Sequence, residues 1–323
     1  MPEILKIILI VLGSVVILSL IGGIVFMLIK TIPISNMVYK KQLVRTSGEV
    51  WGRNCSAPEN EEQVSMWEEG CAWADKNKDR IKEVHIVSYD GLNLYGEFFD
   101  FNSDNTVIIL PGRCECLKYS YFYAKPYQDA GYNVLCIDTR CHGLSEGTHS
   151  SIGKKESKDV IAWANFLQKE FNTKKVCLHC ICIGSSSGIL ALTNKNCPSI
   201  IQEICVEGCF TNFRESFKEH MIYEKRPTFP VLDLVMLNIF FHTGTNVLLD
   251  SPIKKVGKIK AKTLFLHTEL DLFSKPEKAV KLYEKCGSDN KKLVWFKKGG
   301  HSHIRINNHE EYDNAIVEWL TND

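Results

Sequence analysis

The chain is predicted to be an α/β protein: a mostly parallel sheet covered by helices on both faces, carried behind an apolar N-terminal helix. Three observations lead there. Short, mostly apolar runs such as Thr106–Leu110, Asn133–Ile137 and Val176–Cys182 alternate with helical patterns of ten to sixteen residues from about residue 84 onward. A hairpin signal precedes them, with Asp90-Gly91 between Val84–Ser88 and Leu92–Phe98. Finally, Ile7 to Ile29 contains no charge, which at about 1.5 Å per residue is enough to cross a bilayer core.

Composition narrows the function classes. A net charge of +1 and the lack of any basic block give no basis for nucleic-acid binding. There are no internal repeats and no low-complexity segment. The thirteen cysteines are odd in number, and many lie inside apolar runs, where cysteine acts as a small hydrophobe. No spacing suggests a disulfide framework, so the expected compartment is reducing. Cys177, His179, Cys180 and Cys182 lie close together in sequence. Alternate residues of a strand point to opposite faces, so they are not expected to hold one metal ion, and Cys114-x-Cys116 is set aside likewise. No metal or organic cofactor is implied.

Residues 1–30 are assigned to a single membrane anchor. The run is too long for a signal-peptide core, and no small-x-small cleavage site follows it. Lys30, Lys40, Lys41 and Arg45 follow the span, whereas Lys6 precedes it with Glu3 beside it. The positive-inside rule therefore places the body in the cytoplasm. Residues 31–80 are a connector. In it Asn60–Asn77 reads as a helix, with Val64, Trp67, Cys71 and Ala74 at helical spacing, and it is expected to pack on the body, with a lid role as the rival use.

The main domain spans 81–323. After the Leu110 strand comes Pro111-Gly112-Arg113-Cys114, then a helix from about Tyr119 to Gly131 and the strand ending at Asp138. The loop Asp138-Thr139-Arg140-Cys141-His142-Gly143-Leu144-Ser145-Glu146-Gly147 follows, then helix Glu156–Phe171. Strand Glu203–Glu207 leads to Gly208, and residues 211–258 break the rhythm as a helical cap. Within the cap, Val231–Phe241 is apolar but too short to span a bilayer, and Asp233 interrupts it. Strand Lys262–His267 leads to Glu269 and Asp271, and helix Pro276–Cys286 follows. Strand Lys292–Phe296 leads to Gly300-His301-Ser302-His303, and helix Glu310–Leu320 closes the chain.

Everything else is arranged around Val176 to Gly188, a buried strand, a sharp turn and a helix. A nucleophile elbow is such a turn, usually written G-x-S-x-G. Two frames compete. Gly184-Ser185-Ser186-Ser187-Gly188 matches letter for letter and would make Ser186 the nucleophile. Cys180-Ile181-Cys182-Ile183-Gly184 makes it Cys182. The second frame is preferred because the turn must follow the strand directly, and Ser186 would fall inside the helix, where nothing presents it.

The order of these parts from about Val84 to the end resembles an α/β-hydrolase of the serine-aminopeptidase-like or esterase-like bacterial type. The pieces that carry the resemblance are the Asp138–Gly147 loop, the elbow, His267-Thr268-Glu269-Leu270-Asp271, and Gly300-His301. The resemblance implies a triad of Cys182, Asp271 and His301, with Glu269 and His303 as the rival acid and base. In that triad a thiolate attacks an acyl carbon, the imidazole moves the proton and the carboxylate holds the imidazole. A helix N-terminus and a neighbouring histidine would favour the thiolate of Cys182. The resemblance also implies an oxyanion hole from the Ile183 N–H and a second N–H at Arg113 or Cys114, with Arg113 preferred. His267 is expected to pack at its strand end and His142 to hold the loop after Asp138.

The chain departs from the family at four places. Pro111 stands where the family has histidine, Cys180 replaces the elbow's first glycine, Cys182 replaces the serine, and Cys141 replaces a glycine. The implied function is a membrane-anchored hydrolase of esters, thioesters or amides, acting on a small-molecule or lipid-like acyl substrate, with a cysteine nucleophile as in the dienelactone-hydrolase branch. The rival reading is a catalytically degenerate binding protein or a redox-sensitive scaffold using Cys114, Cys141 or Cys180.

Overall fold

The computed structural model describes residues 2–45 and 61–322. Asn60, called here as a helix start, and the rest of connector segment 46–60 lie outside the described residues. Helix α1 (Glu3–Leu43) comes first and α2 (Glu61–Lys76) next. The sheet and its helices then follow in order: β1 (Ile81–Val87), β2 (Asn93–Phe99), β3 (Asn105–Leu110), β4 (Asn133–Ile137), α3 (Glu156–Phe171), β5 (Lys175–Ile181), α4 (Ile183–Leu192) and β6 (Ile201–Glu207). The cap helices are α5 (Phe213–Tyr223) and α6 (Val231–Thr243). The chain ends with β7 (Lys262–Thr268), α7 (Pro276–Lys285), β8 (Lys291–Phe296) and α8 (His309–Thr321).

The eight strands form one sheet in the order β1-β2-β4-β3-β5-β6-β7-β8. The hairpin pair β1/β2 and the pair β2/β4 are antiparallel, and the remaining neighbours are parallel. Two apolar layers cover its faces, and β5 shows how they divide. Val176, Leu178 and Cys180 enter the layer that holds Trp163, Ile189 and Leu282. Cys177 and Ile181 enter the layer that holds Tyr127, Tyr312 and Trp319. Cys177 and Cys180 therefore sit on opposite faces. All twelve described cysteines are free.

Two boundaries differ from the sequence reading. The N-terminal helix does not stop near Lys30. It runs unbroken for 41 residues, because Ser35, Val38, Tyr39 and Leu43, at helical spacing, are buried beneath the cap. The polar residues between them make this part look like a linker. It is long and apolar enough to cross a membrane, and its apolar window is not buried in the protein. The second difference is the stretch read as one helix from Tyr119 to Gly131, which is broken into short turns, Leu117–Ser120, Tyr121–Tyr123 and Lys125–Asp129. Tyr121, Phe122 and Tyr123 are all buried. Three consecutive residues cannot share one helical stripe, so the chain turns to place each ring.

The loop after β4 is a scaffold. Asp138 accepts the Leu117 N–H on one carboxylate oxygen (2.7 Å) and the Leu144 N–H on the other (2.8 Å), while the Ser145 hydroxyl donates to the Asp138 carbonyl.

Candidate active site

The elbow is built from the end of β5. Cys182 is the first residue after the strand and the last before α4, with φ +53° and ψ −110°. A side chain held in that region is strained, and such strain collects at functional turns. Three hydrogen bonds keep the turn closed. The Cys182 N–H donates to the Glu207 carbonyl at 3.0 Å, and the Ser185 hydroxyl reaches the Cys180 and Glu207 carbonyls at 2.8 and 3.1 Å. Ser186, the rival nucleophile, is fully buried and gives its hydroxyl hydrogen to the Ile152 carbonyl at 2.8 Å.

Cys180 occupies the elbow position where a glycine is expected, and the room for it is made in the second turn of α4. A Cβ on Gly188 would come within 2.5 Å of the Cys180 sulfur. The glycine missing from the strand is thus offset by a glycine in α4. Gly188→Ala should cost about 1–3 kcal/mol in denaturant unfolding, the usual cost of overpacking. Much of that cost should vanish in a Cys180→Ala background. Additive losses would show that the two sites do not share the space.

Asp271 and His301 come from the loops after β7 and β8. His301 Nδ1 lies 2.7 Å from Asp271 Oδ2. The other oxygen of Asp271 accepts the Phe273 and Ser274 N–H groups at 2.8 and 2.7 Å, so one carboxylate closes its own turn and orients the imidazole. Glu269 is exposed. His303 points its Nδ1 toward Glu62 of α2, at 3.8 Å, and does not pair with Asp271. Gly208, with φ +57°, lets the ring in, since a Cβ there would sit 3.1 Å from His301 Cε1.

Burial works against the charged form of His301. The charges of Asp271 and Cys182 and the hydrogen bond to Asp271 outweigh it and hold the imidazole pKa well above its ordinary 6.5. Asp271 is also desolvated, but the charge and hydrogen bond of His301 keep its pKa below the usual 3.8. The His301 Nε2 atom is buried and has no hydrogen-bond partner among the described residues. Were His301 the proton donor to a leaving group, a kcat/KM profile would keep its alkaline limb above pH 6.5. Asp271→Asn removes a negative charge that raises this pKa, so the limb should move to lower pH. A limb that stays in place would mean that Asp271 does not tune the ring.

In the loop after β3, His142 accepts the Cys114 N–H on Nε2 at 3.2 Å, and its Nδ1 faces the Arg140 carbonyl at 2.9 Å. Burial lowers its pKa to about 4, so it is neutral, with Nδ1 as the donor. The Gly112 N–H is taken by Glu115. The Arg113 and Ile183 amides make no backbone or side-chain hydrogen bond among the described residues. The Arg113 side chain reaches Gln42 at the end of α1. His267 packs edge-on against Trp295.

Cys182 and His301 open into a cavity of about 220 Å³, lined also by Gln63, Met66, Arg113, Glu115, His220 and Phe273. Helix α2 both packs on the body, through Met66, Gly70 and Ala74, and walls this cavity. Sequence reading missed several residues here. Glu207 lies at the end of β6, where burial raises its pKa to about 7. A carboxylate closing an apolar strand was the available signal. His220 of the cap stacks on Phe273 at 3.8 Å, and Phe273 meets His301 edge-on at 5.7 Å. Of the cysteines named for a redox switch, Cys114 feels the charge of Cys182, and so does Cys209, which was not foreseen.

The fold has counterparts among solved structures. The Pyrococcus furiosus esterase Pf2001 superposes with a TM-score of 0.63 at 22% identity, over 76% of this chain and 94% of the esterase. An esterase from Exiguobacterium antarcticum gives 0.56 at 16% identity, over 74% and 99%. The chain has the α/β-hydrolase fold. Among curated proteins, the uncharacterized protein YqkD of Bacillus subtilis (strain 168) is 25% identical over 244 residues, 75% of each chain. No protein-family model matches.

Proposed function

We propose that this chain is an acyl hydrolase of the α/β-hydrolase fold, anchored in a membrane by α1, that works through a Cys182–His301–Asp271 triad and a covalent acyl-enzyme. The observation that carries the reading is the 2.7 Å His301–Asp271 pair set beside a cysteine on a strained elbow at the mouth of a cavity. The esterase neighbours support hydrolysis as the reaction class.

Cys182 gives its proton to His301 Nε2, and the sulfur attacks the acyl carbon as the thiolate half of that pair. The tetrahedral oxyanion is met by the Ile183 and Arg113 amides. Collapse breaks the bond to the leaving group, which takes the proton from His301, and leaves a thioester on Cys182. Water, deprotonated by His301, then attacks the thioester, releasing the carboxylic acid and restoring the thiol. Asp271 holds the ring tautomer and stabilises the imidazolium. The substrate is a small or lipophilic ester or thioester, since apolar cap residues crowd the elbow. Phe213, Phe217 and Leu232 belong to the same apolar cluster as Ile183, and Cys182 packs against it. The lysines and arginine after the apolar run support a cytoplasmic side for the body.

The test uses the full chain in detergent with a chromogenic short-chain ester. Turnover is expected, with an acyl adduct on the Cys182 peptide after rapid acid quench and fastest iodoacetamide labelling at Cys182. An inert protein whose Cys182 labels no faster than its buried cysteines would overturn the reading in favour of a binding scaffold.

A further inference from the structure

The cap is tied to α1 in a way that fixes its height along that helix. Asn238 of α6 donates its amide hydrogen to Asn36 of α1 at 2.9 Å, and one turn further the ring of His242 stacks on Tyr39 at 5.0 Å. Both contacts advance in the same direction, so the two helices run side by side and parallel. Val38, Tyr39 and Leu43 share one buried cluster with Val231, Val235 and Ile239. Equal rise along both helices, about 1.5 Å per residue, brings the start of α6 at Val231 level with Ile29, the end of the charge-free run.

The segment leading into α6 therefore lies at the height where α1 leaves its apolar stretch. The end of α5 and this segment carry Ile222, Tyr223 and Phe229, which are 51%, 64% and 72% exposed. Lys225 and Arg226 lie between them, with Arg226 paired to Glu224 at 2.8 Å. Exposed aromatic rings beside basic side chains are what a bilayer interface accepts: the rings sit at headgroup depth and the long cations reach back to water and phosphate. Further along α6, Leu237 and Phe241 are also exposed.

We propose that the cap tip, residues 222–230, is seated in the lipid headgroup layer beside α1, with Tyr223 and Phe229 inserted, so that the bilayer surface is the partner of this face. The proposal rests on α1 spanning the membrane. It places lipid one helical turn from the catalytic cavity, because His220, which lines that cavity, is on the same helix as Ile222 and Tyr223. A lipophilic acyl chain would then reach the elbow along the cap without crossing water.

The test places the photo-crosslinking residue p-benzoyl-phenylalanine singly at three positions of the full chain in phosphatidylglycerol–phosphatidylethanolamine vesicles. The positions are Phe229, Ile17 within the apolar run, and exposed Lys195 beyond the far end of α4. After irradiation, lipid adducts are read by mass. Adducts at 17 and 229 with none at 195 are expected. Adducts at 17 but not at 229 would overturn the cap proposal and leave the anchor standing. No adduct at 17 would remove the anchor, and the cap proposal with it. Equal adducts at 195 and 229 would show exposure alone and also overturn it.

Discussion

Cys182→Ala should reduce ester turnover by roughly 10³–10⁶-fold, the range seen when a triad nucleophile is lost while the oxyanion hole remains. The fold should survive, because alanine meets the same φ of +53° as cysteine and removes only a half-buried sulfur. Cys182→Ser should keep part of the activity. It restores the hydroxyl usual at this elbow, in a site where His301 and Asp271 are already paired. Ser186→Ala should leave turnover unchanged and cost about 1 kcal/mol of stability, since it deletes one buried hydrogen bond to the Ile152 carbonyl. Steady-state kinetics on the four proteins decides among them. Activity that survives Cys182→Ala and disappears in Ser186→Ala would reverse the assignment.

That assignment shows what could be read from the sequence and what could not. The elbow frame follows from where the apolar strand must end: β5 stops at Ile181, so the turn falls at Cys182, and the literal G-x-S-x-G that begins two residues later is helix. Strand ends place Asp271 and His301 in the same way. Other features depend on contacts between distant segments and leave no local period. The last turns of α1 pair Asn36 with Asn238 across the chain, and a pattern broken by Lys40 and Lys41 cannot announce that. Gly188 looks like the end of a motif, but its role is to clear Cys180. The stack of His220, Phe273 and His301 joins the cap to the His301–Asp271 pair through two loops whose approach no spacing encodes. The Asp138–Gly147 segment was the opposite case. Its density of polar residues suggests a site, but its bonds are turned inward.

Arg140 in that segment should be costly to remove. Its side chain is 3% exposed and grips two carboxylates. Nε and Nη2 hold Asp159 of α3 at 2.6 and 2.7 Å, and Nη1 and Nη2 hold Asp90 of the β1–β2 hairpin at 2.9 and 3.0 Å. Arg140→Met would fill the space but leave Asp159 buried without its cation, which costs about 3–5 kcal/mol. The cost should depend on pH. Burial already raises the Asp159 pKa to about 6, against the pull of Arg140. Because the folded pKa lies above the unfolded one, Asp159 favours the folded state at low pH, and this contribution declines as pH rises through 6. Without Arg140 the folded pKa moves higher still, so the penalty should be larger at pH 8 than at pH 5. Asp159→Leu in the Arg140→Met background should recover much of the loss, because two apolar side chains can replace a buried ion pair. Urea unfolding at both pH values measures this. A penalty independent of pH, or a double variant no more stable than Arg140→Met, would mean that the fold depends on Arg140 for its packing rather than for its charge.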